Sequence, residues 1–121
     1  MTEAELQEHV VHLMRAYGRP EVCWFAVANG EQRSRSVGAR LKRQGVIAGA
    51  PDMVFLIKGV FYGIELKTNI GKVSTLQRMF GNWIEAAGGT YHVCYGIYQA
   101  FDCLQAIGAL PNHVKLTFPT K

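Results

Sequence analysis

Two apolar runs of strand length, residues 52–57 and 61–66, stand back to back across Lys58-Gly59-Val60. Runs of this kind around a glycine-bearing turn form a β-hairpin. The hairpin constrains the rest of the chain, because one edge of the second strand must be paired or covered and both faces need partners. It also carries charge where strands are usually apolar. Asp52 lies at its mouth, and Glu65 and Lys67 lie near the end of its second strand. Side chains alternate faces along a strand, so Glu65 and Lys67 share one face. Whether Asp52 joins them depends on the turn. An even-numbered loop sets Asp52 opposite Glu65 or Lys67 on that face, and an odd one separates them.

The segments around the hairpin supply the other layers. Residues 2–17 form an amphipathic helix, with Thr2 and Glu5 spaced as a capping box and Leu6, Val10, Leu13, Met14 and Tyr17 as the apolar stripe. Residues 22–28 are rich in β-formers and read as a strand, ended by Asn29-Gly30. Residues 31–50 are polar, basic and punctuated by glycine, and read as a long loop with room for one helical turn. A second amphipathic helix is expected over residues 74–87, with Leu76, Met79, Phe80, Trp83 and Ala87 inward and Gly88-Gly89 closing it. A strand over 91–95 and a helix over 98–110, stopped by Pro111, complete the order α-β-β-β-α-β-α. That order predicts a single α/β domain, a mixed sheet with helices on its faces. With 121 residues, 49% of them hydrophobic, the chain can build one core and not two.

Charge distribution points to a partner. Lys and Arg number 13 against 9 Asp and Glu, and Arg33, Arg35, Arg40, Lys42 and Arg43 fall within eleven residues without an intervening acid. Such a stretch fits a polyanion, and it also fits a solvated loop. Three cysteines, Cys23, Cys94 and Cys103, show no CxxC spacing. We expect them to be small buried hydrophobes in a reducing cytoplasm. No apolar run approaches the roughly twenty residues of a membrane span, and no export signal is seen at the N-terminus. His9 and His12 have i, i+3 spacing but point away from the core face of the first helix, and His92 and His113 lack ligand-like companions, which argues against zinc.

Two carboxylates and an ammonium at adjoining strand ends suit a hard divalent cation held against a phosphate. Lys67 could orient the attacking water or stabilise developing charge. Charged residues at strand ends also form surface pairs of little consequence, so the order of motifs matters. Gly49-Ala50-Pro51-Asp52, an apolar strand and then Ile64-Glu65-Leu66-Lys67 resemble the PD-(D/E)xK nuclease superfamily. The continuation Gly71-Lys72-Val73-Ser74-Thr75-Leu76-Gln77, with Gly88-Gly89 and a hydrophobic strand, resembles the VRR-NUC family of virus-type replication and repair nucleases.

The resemblance spans nearly the whole chain and implies a restriction-endonuclease-like core. It implies Asp52 and Glu65 as ligands of Mg²⁺ or Mn²⁺, the Leu66 carbonyl as a further oxygen, and Lys67 as the catalytic lysine. It puts Gln77 beside that lysine, although Ser74 and Gln77 also have capping-box spacing. It places an acid in the first helix. Helical phase selects Glu3, on the Leu6–Val10–Tyr17 stripe, over Glu8, which points nearly opposite. Glu3 is thus a candidate auxiliary ligand or water-positioning acid, or simply an acid favoured by the helix dipole. The basic stretch, with Lys72 as a weaker member, would grip DNA phosphates. Homodimers, branched DNA such as Holliday junctions, and a role in phage or prophage replication, recombination or repair are further implications of the resemblance. The competing reading is a non-catalytic DNA-binding module on the same fold.

Overall fold

A computed structural model describes residues 1–28 and 35–116 of the chain. Its elements are α1 (Glu3–Tyr17), β1 (Cys23–Ala26), α2 (Arg35–Arg43), β2 (Met53–Ile57), β3 (Val60–Lys67), α3 (Thr75–Ala86), β4 (Thr90–Tyr95) and α4 (Gly96–Ala106). The strands form one mixed sheet in the order β1-β2-β3-β4. The first two pairings are antiparallel and β3–β4 is parallel. A parallel pair needs a long crossover, and α3 supplies it. The expected α/β architecture is therefore present, with one helix more than the sequence suggested.

Helix α1 begins with the expected capping box: Glu5 N–H donates to Thr2 Oγ1 at 3.1 Å, and Thr2 N–H donates to Glu5 Oε1 at 3.0 Å. Its residues Leu6, Val10, Leu13 and Met14 are buried, but Tyr17, the last residue of the helix, is exposed. Helix α4 buries Ile97, Ala100, Phe101 and Leu104 at helical spacing. Both helices pack with Met53, Phe55, Ile57, Ile64, Leu66 and Cys94 in one core. The side chain of Gln105 donates to the carbonyls of Pro111 and Val114 at 3.1 and 3.0 Å, which ties the segment after α4 to that helix.

Helix α3 covers the other face, and it does so with an unexpected side. Gln77, Gly81 and Ile84, spaced i, i+4, i+7, turn toward the sheet; Gly81 and Ile84 are buried and Gln77 is half-buried. Leu76, Met79 and Trp83 of the expected inward stripe are 53, 60 and 58% exposed. The sheet face beneath α3 presents Gly63, Glu65 and Tyr91. A helix seated there needs a small residue and a polar one, which the more apolar stripe lacks.

Two further expectations are corrected. Nine of the residues expected as loop form α2, whose half-buried Val37 and Leu41 lie one turn apart while its basic residues are exposed. A basic sequence can stay helical when its few apolar residues fall on one side. Cys23 is exposed on β1, whereas Cys94 is buried and Cys103 half-buried; all three are free thiols. Among the described residues no helix is long and apolar enough to cross a membrane.

Candidate functional site

The hairpin turn decides the site. It contains two residues, Lys58 and Gly59, both with positive φ (50° and 80°), the conformation of a type I′ turn. Val60, placed in the turn by its sequence context, instead pairs with Ile57 as the first residue of β3. The loop is even, and Met53 lies opposite Ile64. One step further in the same register, Asp52 lies opposite Glu65. The aspartate is held there twice. Its carbonyl accepts from Val27 N–H at 2.8 Å. Its Oδ2 accepts from Leu66 N–H, also at 2.8 Å.

The glycine before Pro51-Asp52 also has a defined job. Gly49 adopts φ +91°, and a Cβ there would lie 2.6 Å from the Leu76 carbonyl and 3.0 Å from Gln77 N. Only glycine lets this loop press against the first turn of α3. The loop and the helix that carries Gln77 are thereby locked together.

Glu65 and Lys67 lie on the central strand β3 with only 1% and 7% of their surfaces exposed. Charged residues are rarely buried this far unless paired. Burial, followed by the adjoining Asp52, pushes the Glu65 carboxyl up to about 9, with Lys67 pulling in the opposite direction. Each Glu65 oxygen meets a different element. Gln77 Nε2 donates to Oε1 at 3.1 Å, and the Tyr91 hydroxyl donates to Oε2 at 3.4 Å. Burial and then the Glu65 charge raise the Tyr91 phenol, which keeps its proton and acts as donor.

Gln77 serves in two roles at once. Its Oε1 accepts from Ser74 N–H at 2.9 Å, while Ser74 Oγ accepts from Gln77 N–H at 3.1 Å, completing the capping box of α3. Because the carbonyl is committed to the helix end, the amide NH₂ must face Glu65. The capping and site roles weighed separately in the sequence are one arrangement.

Glu3 approaches from the other side of the sheet end. A Cβ on Gly71 would lie 3.1 Å from Glu3 Oε2 and 3.4 Å from Lys67 Cδ, so the acid and the lysine stem flank the same turn. Among the described residues no three of His, Cys, Asp and Glu converge to enclose a metal ion. Glu3 is therefore not gathered with Asp52 and Glu65 here. A cavity of about 640 Å³ opens between Asp52 and the solvent side of α1, lined by Glu3, Gln7, Glu8, His12 and Arg15. Glu8 and His12, expected to point away, thus border the approach to the aspartate.

The basic residues Arg35, Arg40, Lys42 and Arg43 are exposed on and around α2, and Lys72 is exposed in the turn after β3. Arg33 and Asn29 lie outside the described residues. Tyr91 was missed by sequence reasoning. Its signal was Gly81, a glycine inside a helix, where it costs about 1 kcal/mol relative to alanine and needs a reason.

The donor set fits a hard divalent cation. Asp52 and Glu65 offer carboxylate oxygens side by side; burial first, and the neighbouring Asp52 second, favour a proton on Glu65, and a cation between them would allow both to ionise.

No known family model matches the sequence, and no curated protein matches it. Among solved structures, one described as a VRR_NUC domain protein aligns with a TM-score of 0.70 over 88% of this chain and 87% of that one, at 22% identity. At that identity the likeness is one of fold. The chain has the nuclease-like fold of a VRR-NUC domain, in agreement with the resemblance carried by its motifs.

Proposed function

We propose that this chain is a Mg²⁺- or Mn²⁺-dependent nuclease that hydrolyses the phosphodiester backbone of DNA. The observation that carries the reading is the even hairpin, which sets Asp52 opposite Glu65 on the face shared with Lys67. Asp52, Glu65 and the Leu66 carbonyl would hold the cation. When bound, it supplies a Lewis acid at the scissile phosphate and neutralises developing charge.

The remaining work falls to the chain. Lys67 places a positive charge at the phosphate and orients the attacking water. Gln77 holds one oxygen of Glu65 and ties it to the first turn of α3 while substrate enters. Glu3, beside the lysine stem, restrains Lys67 or positions the water. Arg35, Arg40, Lys42 and Arg43, together with Arg33 and Lys72, grip phosphates on either side of the cut without reading sequence. Branched DNA is the substrate class favoured by the VRR-NUC resemblance, in replication, recombination or repair. A homodimer would suit paired symmetric cuts.

The test is a cleavage panel of linear, flapped and four-way DNA with Mg²⁺ or Mn²⁺, beside a Lys67→Ala control. Cation-dependent cutting that vanishes in the control supports the reading. Equal cutting by the control rejects it. Binding of branched DNA with no cutting under either metal assigns the chain instead as a DNA-binding module.

A further inference from the structure

We propose that Tyr91 is a positioning residue for Glu65, seated against Gly81 of α3 so that its hydroxyl stops the carboxylate from swinging out of the site. Glu65 ends in a two-fold rotor, and a single donor would leave it free to turn. The structure provides two donors from two elements: Gln77 of α3 on Oε1 and Tyr91 of β4 on Oε2. At 3.4 Å the tyrosine bond is longer than an ordinary O–H···O hydrogen bond and therefore weak. It limits the motion of the carboxylate rather than neutralising its charge.

The surroundings show that the ring's place is specified. A Cβ on Gly81 would fall 2.4 Å from Tyr91 Cδ2 and 2.6 Å from Cε2, so α3 crosses the ring in direct contact. Alanine would be the better helix former at that position, and only glycine admits the ring. Gly63, opposite Tyr91 in the parallel register, admits Ile84 and Pro51 in the same way, with its Cβ position 3.0 Å from each. The half-buried ring is thus blocked by α3 on the side where the helix crosses it. A ring that merely filled space would need no hydroxyl aimed at a buried carboxylate, and phenylalanine would serve.

The cation arm of this inference rests on the nuclease reading; the positional arm does not. The experiment compares the wild type with Tyr91→Phe, Gly81→Ala and the double variant. Three quantities are measured without DNA: melting temperature, the side-chain amide resonances of Gln77 in metal-free protein, and Mn²⁺ affinity by calorimetry. Tyr91→Phe should melt within a few degrees of wild type yet shift the Gln77 amide signals. It should also weaken Mn²⁺ binding about ten-fold or more, the usual effect of losing a hydrogen-bond partner behind a metal ligand.

Gly81→Ala displaces the same hydroxyl, so it should move both readings and add little to them in the Tyr91→Phe background. Unmoved Gln77 signals in Tyr91→Phe, or effects of the two changes that simply add, would overturn the proposal. If Gly81→Ala does not fold, Tyr91→Phe decides alone. If wild type binds no Mn²⁺, the nuclease reading fails, and the metal-free Gln77 signals still decide the role of Tyr91.

Discussion

At the scale of single residues, the site is a set of charges that the fold has placed where none would settle unaided. Lys67 is the side chain whose loss should be most specific. Lys67→Ala should lower the cleavage rate by about 10²–10³-fold, the scale of removing one electrostatic interaction with the transition state, while DNA affinity in a gel-shift titration stays close to wild type. Glu65 yields a second test through pH. Its folded value of about 9 lies above the ordinary 4.5, so the folded state keeps a proton that the unfolded chain releases. Stability from this group is therefore complete below about pH 4.5 and is lost as pH rises toward 9. Metal-free protein should melt at progressively lower temperature across that window, and Glu65→Gln should flatten the decline. A melting curve equally steep in the variant would show that other groups set it.

At the scale of elements, α2 and the start of α3 carry separable functions. Helix α2 has no buried residue, so changes to its charges should not disturb the fold. Replacing Arg40 and Arg43 together with alanine should weaken DNA binding across all sequences. It should also reduce the slope of log affinity against log salt by about 2, near 0.9 for each phosphate that is no longer neutralised. An unchanged slope would remove α2 from the footprint. The loop at Gly49 is the opposite case, since its backbone touches α3 directly. Gly49→Ala should cost about 1–3 kcal/mol in a denaturant titration, from a strained φ and a crowded Cβ. It should also reduce cleavage more than stability alone explains, because Asp52 and Gln77 would separate.

At the scale of the whole molecule, the buried Glu65 and the half-buried Asp52 beside it make stability and cation binding the same question. A ligand that binds only the folded state stabilises it by about 2.7 kcal/mol at a hundred times its dissociation constant. Excess Mg²⁺ or Mn²⁺ should thus raise the melting temperature reversibly with chelator. Asp52→Asn should abolish most of the increase, and a full response in that variant would place the cation elsewhere. Leu76, Met79 and Trp83 form an exposed apolar face on α3 that the periodicity of the sequence assigned to the interior.

What could be read from the sequence alone was local. The capping boxes at Thr2 and Ser74, the hairpin around Lys58-Gly59 and the pairing of Glu65 with Lys67 on one face follow from spacing over a few residues. So does the α/β class, because the hydrophobic period switches between helix and strand along the chain. The tertiary structure decided what depends on residues far apart. It set the side of α3 that meets the sheet, since apolar periodicity ranks faces by hydrophobicity and knows nothing of Gly63, Glu65 and Tyr91 opposite. It set the parallel register that brings Tyr91 to Glu65, because a crossover through α3 fixes no pairing by itself. Most of all it set Asp52 beside Glu65: a turn of two residues rather than three reverses every side chain of a strand, and only the folded sheet determines which turn is made.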